Sequence, residues 1–133
     1  MSFSEIIFKE NKGDKEIHGK LYIQYKKIPY FEIIEEKNDE IKLAVYNRIK
    51  TTEHKYEFSL KLPENQRSQF FAKFGFFRLE NYFINTNLIT FIKEERLNPS
   101  KVKITFFFEG YAMYLILNTN WGRWESWRNV RLK

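Results

Sequence analysis

The stretch that decides the fold is Lys55-Tyr56-Glu57-Phe58-Ser59-Leu60-Lys61-Leu62. Its polar and apolar residues alternate with a period of two, which predicts a β-strand with one buried and one solvated face. The same alternation recurs at residues 21–25 and 41–45. Residues 3–9 and 30–35 are rich in the β-branched and aromatic residues that favour strands. The first part of the chain therefore predicts an antiparallel meander with one solvated face.

A helix is predicted directly after this strand. Pro63 suits the first turn of a helix, because its missing N–H would have no partner there. An apolar stripe at helical spacing follows, formed by Phe70, Phe71 and Phe74. A second helix is predicted over residues 88–97, with Phe91 and Ile92 facing inward. Residues 76–84 fit either a helix or a strand.

Two strands with a period of two are predicted over residues 102–108 and 111–117, and they form a hairpin. Phe107 and Tyr114 lie on the side of this hairpin opposite its main apolar residues. Together, these segments predict a single α+β domain of residues 1–133. We expect mainly antiparallel sheet of about seven strands, two or so helices at roughly 64–97, and a short helical or irregular C-terminal segment.

The net charge of +6 lies entirely in the second half of the chain. Residues 1–66 carry 12 Lys+Arg and 12 Asp+Glu, whereas residues 67–133 carry 11 and 5. A basic end on an otherwise balanced chain predicts an acidic partner: nucleic acid, an acidic protein surface or anionic lipid. The alternative is a solvated face that keeps the protein soluble.

The sequence lacks the motifs and spacings by which most catalytic and metal sites are recognised. There is no cysteine, which excludes disulfides, thiolate zinc sites and thiol nucleophiles. The two histidines, His18 and His54, are far apart and lack metal-ligand spacing. The five glycines never cluster into a phosphate-binding loop. We therefore predict a protein that is not an enzyme and that has no catalytic residues, no metal and no cofactor.

All three tryptophans lie within residues 118–133, at every third position from Trp121. A strand would turn successive rings to opposite faces, whereas a helical or 3₁₀ turn keeps them on one drifting face. The segment either closes the core or forms a contact surface, since tryptophan and arginine dominate binding hot spots and suit stacking on bases. The predicted partner-binding residues are Trp124, Trp127, Arg123, Arg128 and Arg131. We expect Trp121 to be buried and Trp127 to be the most exposed of the three.

A secondary candidate surface lies on the solvated face of the predicted early strands. Its residues are Lys20, Tyr22, Lys26, Lys42 and Tyr46. Aromatic and lysine side chains on an exposed sheet are typical of platforms that bind single-stranded RNA. Cross-strand Lys–Glu and Tyr pairs on any solvated sheet have the same composition. The zero net charge of residues 1–66 argues against this surface.

The leading hypothesis is a small, non-enzymatic binding protein of inhibitor or immunity type, which occupies an acidic protein or nucleoprotein surface. Two alternatives stay open: direct binding of single-stranded nucleic acid, and an aromatic-lined pocket that serves a small-ligand binder or an enzyme. The sequence shows no signal peptide and no apolar run near the ~20 residues of a membrane helix. We therefore expect no membrane span and a cytoplasmic location.

Overall fold

The structure, a computed structural model, describes residues 3–118, apart from the side chains of residues 10–12 and 49. This part contains ten strands: β1 (Ser4–Lys12), β2 (Lys15–Ile23), β3 (Tyr30–Glu36), β4 (Glu40–Ile49), β5 (Thr52–Lys61), β6 (Phe76–Leu79), β7 (Tyr82–Asn85), β8 (Phe91–Asn98), β9 (Lys101–Phe108) and β10 (Tyr111–Asn118). Its one α-helix is α1 (Glu64–Ala72), and short 3₁₀ turns lie at Tyr25–Lys27 and Thr86–Leu88.

Residues 3–86 form one compact unit, built on a seven-stranded antiparallel sheet. The strand order is β2-β1-β5-β4-β3-β7-β6. The predicted meander of the early strands is therefore wrong beyond β3-β4-β5, because β1 pairs with β5 and β2 lies at the edge of the sheet, away from β3. The alternation that opens the sequence analysis is confirmed in β5, where Phe58 is buried opposite Leu43 of β4. Helix α1 packs its aromatic residues against this buried face of the sheet.

The core of this unit is aromatic, and α1 supplies much of it. Phe71 stacks on Phe83 with ring centroids 4.0 Å apart and lies 6.1 Å from the ring of Phe31. Tyr25 stacks on Phe74 at 4.9 Å, and burial raises the pKa of Tyr25 to about 12. The predicted apolar stripe is confirmed for Phe70 and Phe71, whereas Phe74 lies beyond the end of α1 at Ala72 and packs on the same core. Such ring pairs add about 0.5–1.5 kcal/mol each beyond the area they bury.

Residues 87–118 form a second compact unit, a three-stranded sheet in the order β10-β9-β8. The predicted hairpin of β9 and β10 is confirmed, and its turn consists of Glu109 and Gly110. The register pairs apolar residues along one face of the hairpin, which is buried: Val102 with Leu117, Ile104 with Leu115, and Phe106 with Met113. The alternate residues of both strands therefore lie on the opposite face.

The predicted second helix over residues 88–97 is wrong. Its residues form β8, which pairs antiparallel with β9, so that Phe91 lies opposite Phe107. The local pattern of apolar residues is too short to separate a helix from a strand. The ladder with β9 decides the outcome, because its backbone hydrogen bonds override the helical preference of the Lys, Glu, Arg and Leu residues at 93–97.

The structure agrees with a sheet-rich fold but only loosely with the predicted α+β class. The ambiguous residues 76–84 belong to the hairpin of β6 and β7, whose turn holds Glu80 at a positive φ of 55°. Ten strands replace the predicted seven or so, and one helix replaces two in the described residues. The assignment of residues 1–133 to a single domain stays a prediction. No helix within residues 3–118 is long and apolar enough to span a membrane.

Candidate functional site

The residues predicted to bind a partner lie outside the described residues. They are Trp124, Trp127, Arg123, Arg128 and Arg131, and their assignment as contact residues stays a prediction. The secondary surface can be located, because all of its residues lie within residues 3–118.

The structure separates the residues of the secondary surface into three places. Lys42 and Tyr46 lie on β4, on the sheet face opposite α1, because they alternate with buried residues such as Leu43. Lys20 and Tyr22 lie on β2, and both β1 and β5 separate that strand from β4. Lys26 lies in the 3₁₀ turn Tyr25–Lys27. These residues therefore do not form one continuous cluster.

Three lysines on this sheet are paired with glutamates on other strands, two of them on the adjacent strand and Lys55 across β4 to Glu32 of β3. The distance from Nζ to the carboxylate is 2.9 Å for Lys20 and Glu5, 3.5 Å for Lys42 and Glu57, and 3.6 Å for Lys55 and Glu32. Such exposed pairs contribute about 0–1 kcal/mol each to stability. Pairing of this kind neutralises the positive charge that a nucleic acid or an acidic protein would recognise.

Tyr46 is likewise held by its neighbours. Its hydroxyl donates a hydrogen bond to the carboxylate of Glu32, and its ring stacks on Tyr30 with centroids 5.9 Å apart. Burial, followed by the hydrogen bond to Glu32 and the charge of Glu32, raises the pKa of Tyr46. Tyr46 therefore stays neutral and forms part of a fixed cross-strand cluster.

A different surface combines exposed rings and lysines. It lies on the β8-β9-β10 sheet, on the face opposite the buried residues of the β9–β10 hairpin. We call it the aromatic–lysine face, and it consists of Phe91, Lys93, Lys101, Lys103, Phe107 and Tyr114. Strand alternation and the cross-strand register bring these side chains to the same side of the sheet.

A stacked pair of phenylalanines lies at one end of the aromatic–lysine face. The rings of Phe91 and Phe107 are 4.1 Å apart at their centroids and inclined by only 12°. Thr90 fixes this pairing, because its backbone N–H and its hydroxyl both donate to the carbonyl oxygen of Phe107, at 2.8 and 2.9 Å. Phe91 nevertheless stays 58% exposed. The pair is a pre-formed, flat apolar platform.

A cation and a ring meet at the middle of the same face. The Nζ atom of Lys103 lies 4.4 Å from the ring centroid of Tyr114, which is 58% exposed. Lys93 pairs with Glu95 at 2.8 Å, and this hydrogen bond lowers the pKa of Glu95, with help from the nearby charge of Lys103. The three lysines of the face and this one glutamate leave a net charge of +2.

The sequence predicts the positions of some residues of this surface, but it does not predict that they lie together. The alternation in residues 102–117 already places Phe107 and Tyr114 away from the buried residues of the hairpin. Phe91 is the residue that the sequence misplaces, because the predicted second helix turns it inward. Its position on an exposed strand follows only from the pairing with β9.

Other features of the described residues give weaker support for a functional site. A cavity of about 40 Å³ is lined by Glu35, Lys37, Glu40, Lys42 and Ser59. Its volume is well below the ~300–1,000 Å³ of small-molecule sites. Within residues 3–118, no group of three or more histidine or carboxylate side chains is arranged to hold a metal ion.

Comparison of the chain with known protein families, with curated proteins and with solved structures finds no match.

Proposed function

We propose that this chain is a cytoplasmic, non-enzymatic binding protein that acts by occupying a macromolecular partner with an acidic surface. The observation that carries the proposal is the aromatic–lysine face, where exposed rings and unbalanced positive charge lie together. Exposed apolar residues that adjoin one another mark interaction surfaces more often than isolated ones do. Inhibitor and immunity-type proteins act by such occupation alone.

The composition of this face suits a contact surface, which must both attract a partner and bury apolar side chains against it. Phe91 and Tyr114 offer large, stiff rings, which can be buried against a partner with little loss of conformational entropy. The lysines beside them would attract an acidic partner over a distance and raise its association rate. The proposal includes the C-terminal residues Trp124 and Trp127 as a further contact of similar chemistry.

The partner takes one of two forms, an acidic protein or nucleoprotein surface, or single-stranded nucleic acid. The third alternative, a pocket for a small ligand, gains no support from the cavity of about 40 Å³ beside β4.

Site-specific photo-crosslinking in cells of the source organism tests this proposal. A photoreactive phenylalanine analogue is placed at Phe91 in one variant and at Phe3 in the control, because both side chains are about equally exposed, at 58% and 60%. We expect a discrete macromolecular adduct from position 91 and none from position 3. Equal, diffuse labelling from both positions would overturn the proposal.

A further inference from the structure

We infer that the aromatic–lysine face binds single-stranded nucleic acid, with one base continuing the Phe91–Phe107 stack and a neighbouring base lying on Tyr114. The inference rests on the proposed function and names the class of partner. It is carried by the juxtaposition of a stacked ring pair, a second exposed ring and three lysines on one sheet face.

The first step concerns the stacked pair. Phe91 and Phe107 are already nearly parallel, and two hydrogen bonds from Thr90 hold the strand carrying Phe91 in register. A base that stacks on them therefore meets an ordered platform and loses little to side-chain ordering. Stacking tolerates any base, because every base has a π-face.

The second step concerns spacing. Phe107 lies opposite Ala112 and Thr105 lies opposite Tyr114, so Phe107 and Tyr114 are diagonal neighbours on adjacent strands. Diagonal neighbours in an antiparallel sheet are about 7–8 Å apart. Phe91 lies one strand farther from Tyr114, because β9 separates β8 from β10. The three rings therefore extend across all three strands, as in sheet platforms that stack two or three bases.

The third step concerns charge. The ammonium group of Lys103 covers the ring of Tyr114 at 4.4 Å, where a base would stack. A base that replaces this ammonium on the ring brings its own phosphate nearby, so Lys103 exchanges a cation–π contact for a phosphate contact. Lys93 and Lys101 extend the positive charge along β8 and β9.

The same features favour single strands over the other acidic partners. A duplex keeps its bases stacked on one another, so that their faces are closed to protein rings, and it would use the lysines alone. An acidic protein would also use the lysines and could bury the rings, but only a base offers a flat π-face that continues the parallel stack of Phe91 and Phe107. The stacked pair is therefore the feature that distinguishes the partner.

The test is fluorescence anisotropy on the full chain with labelled 12-nucleotide oligo-dT and oligo-U, which distinguish DNA from RNA. Phe91→Leu and Tyr114→Ala should each weaken binding by roughly 5- to 150-fold. This is the range expected when the aromatic side chain on which one base stacks is removed. Phe3→Ala is the matched control, since Phe3 is equally exposed and lies outside the face, and it should leave binding unchanged. Thermal melts of all variants confirm that each is folded.

The salt dependence of oligonucleotide binding gives a second, independent test. Lys93 is paired with Glu95, so Lys101 and Lys103 supply the phosphate contacts, and two such contacts on a single strand predict a log–log slope of about −1.4 from this face. Lys101→Gln or Lys103→Gln should reduce the steepness by about 0.7, and Lys15→Gln, an exposed lysine of β2, should not change it.

A 12-base-pair duplex and poly-glutamate serve as further probes. The inference would be overturned if Phe91→Leu and Tyr114→Ala bound the oligonucleotides as tightly as the parent chain does. It would also be overturned if the duplex bound more tightly than either oligonucleotide, or if poly-glutamate bound and the oligonucleotides did not. If the oligonucleotides fail while position 91 still crosslinks to a protein, the inference is wrong and the proposed function stands. If neither occurs, both are wrong.

Discussion

At the scale of single residues, Arg67 is the most constrained charge in the described part of the chain. It lies in α1, is only 4% exposed, and donates from Nε to the carbonyl oxygen of Leu62 at 3.0 Å. Its Nη atoms donate to the carbonyl oxygens of Glu40, at 2.8 Å, and of Lys37, and to the carboxylate of Glu36. One guanidinium thus joins the helix to the β3–β4 turn and to the end of β5.

Replacing this guanidinium should be strongly destabilising. Arg67→Ala leaves the Glu36 carboxylate without one partner and removes the guanidinium donor from three carbonyl oxygens, of which only that of Glu40 still accepts from the N–H of Lys37. We therefore expect a loss of about 3–5 kcal/mol in the free energy of unfolding. Urea unfolding followed by circular dichroism measures the loss. Arg78→Ala is the control, because Arg78 binds the same Glu36 carboxylate at 2.6 and 2.9 Å from a more exposed position and should cost about 1 kcal/mol or less. Equal losses would contradict this account.

The pH dependence of stability should carry a signature of Glu36. The hydrogen bond from Arg78, with the charges of Arg78 and Arg67, holds the pKa of Glu36 below its usual value of 4.5. A carboxyl group whose pKa is lowered in the folded state stabilises the fold above its unfolded pKa and ceases to do so as the pH falls through its folded pKa.

We therefore expect the parent chain to exceed Glu36→Gln in stability at pH 7, and the difference to shrink as the pH falls below about 4.5. Urea midpoints of both proteins between pH 7 and pH 3 measure this difference. A difference that stays constant over the whole range would show that the ionised carboxylate contributes nothing.

At the scale of elements, the β9–β10 hairpin and α1 could be predicted because their patterns are complete within one segment. The hairpin has a strict period of two on both sides of Gly110, and α1 is preceded by Pro63 and followed by Gly75 at a φ of 96°. β8 could not be predicted, because its state depends on hydrogen bonds to β9 rather than on its own residues.

The turn between β9 and β10 gives a clean test of backbone strain. Gly110 has a φ of 90°, and a Cβ atom built there would meet nothing within 4 Å. Gly110→Ala should therefore destabilise the protein by roughly 1 kcal/mol through the backbone conformation alone. Chemical denaturation measures the loss, and Gly110→Asn should lose less, because asparagine tolerates positive φ better. An unchanged Gly110→Ala variant would show that the turn adopts another conformation.

At the scale of the whole molecule, charge is the feature most closely tied to function. The first 66 residues have no net charge, and lysines on their sheet are paired with glutamates of other strands. The excess lies in residues 67–133, to which the aromatic–lysine face and the segment that holds every tryptophan both belong. An acidic partner would therefore be attracted to this half of the chain.

Substitution of the tryptophans tests whether the C-terminal segment is part of the core or contacts the partner. If Trp121 is buried, Trp121→Ala should cost about 3–5 kcal/mol in the free energy of unfolding. If Trp127 is a contact residue, Trp127→Ala should keep the Tm of the parent chain and weaken partner binding. Melting curves and oligonucleotide titrations of the two variants provide the comparison. A large loss of Tm in Trp127→Ala would assign that residue to the core.

By itself, the sequence determined the early strands, α1 and the β9–β10 hairpin, since periodicity and turn residues are local properties. It did not determine the order of the early strands, because the pairing of β1 with β5 joins segments distant along the chain. It also determined that Phe107 and Tyr114 lie opposite the buried residues of their hairpin. Only the tertiary structure decided that β8 is a strand, that Phe91 stacks on Phe107, and that Arg67 is buried. The physical reason is that each of these depends on hydrogen bonds and contacts between residues distant along the chain, which alternation within one segment does not encode.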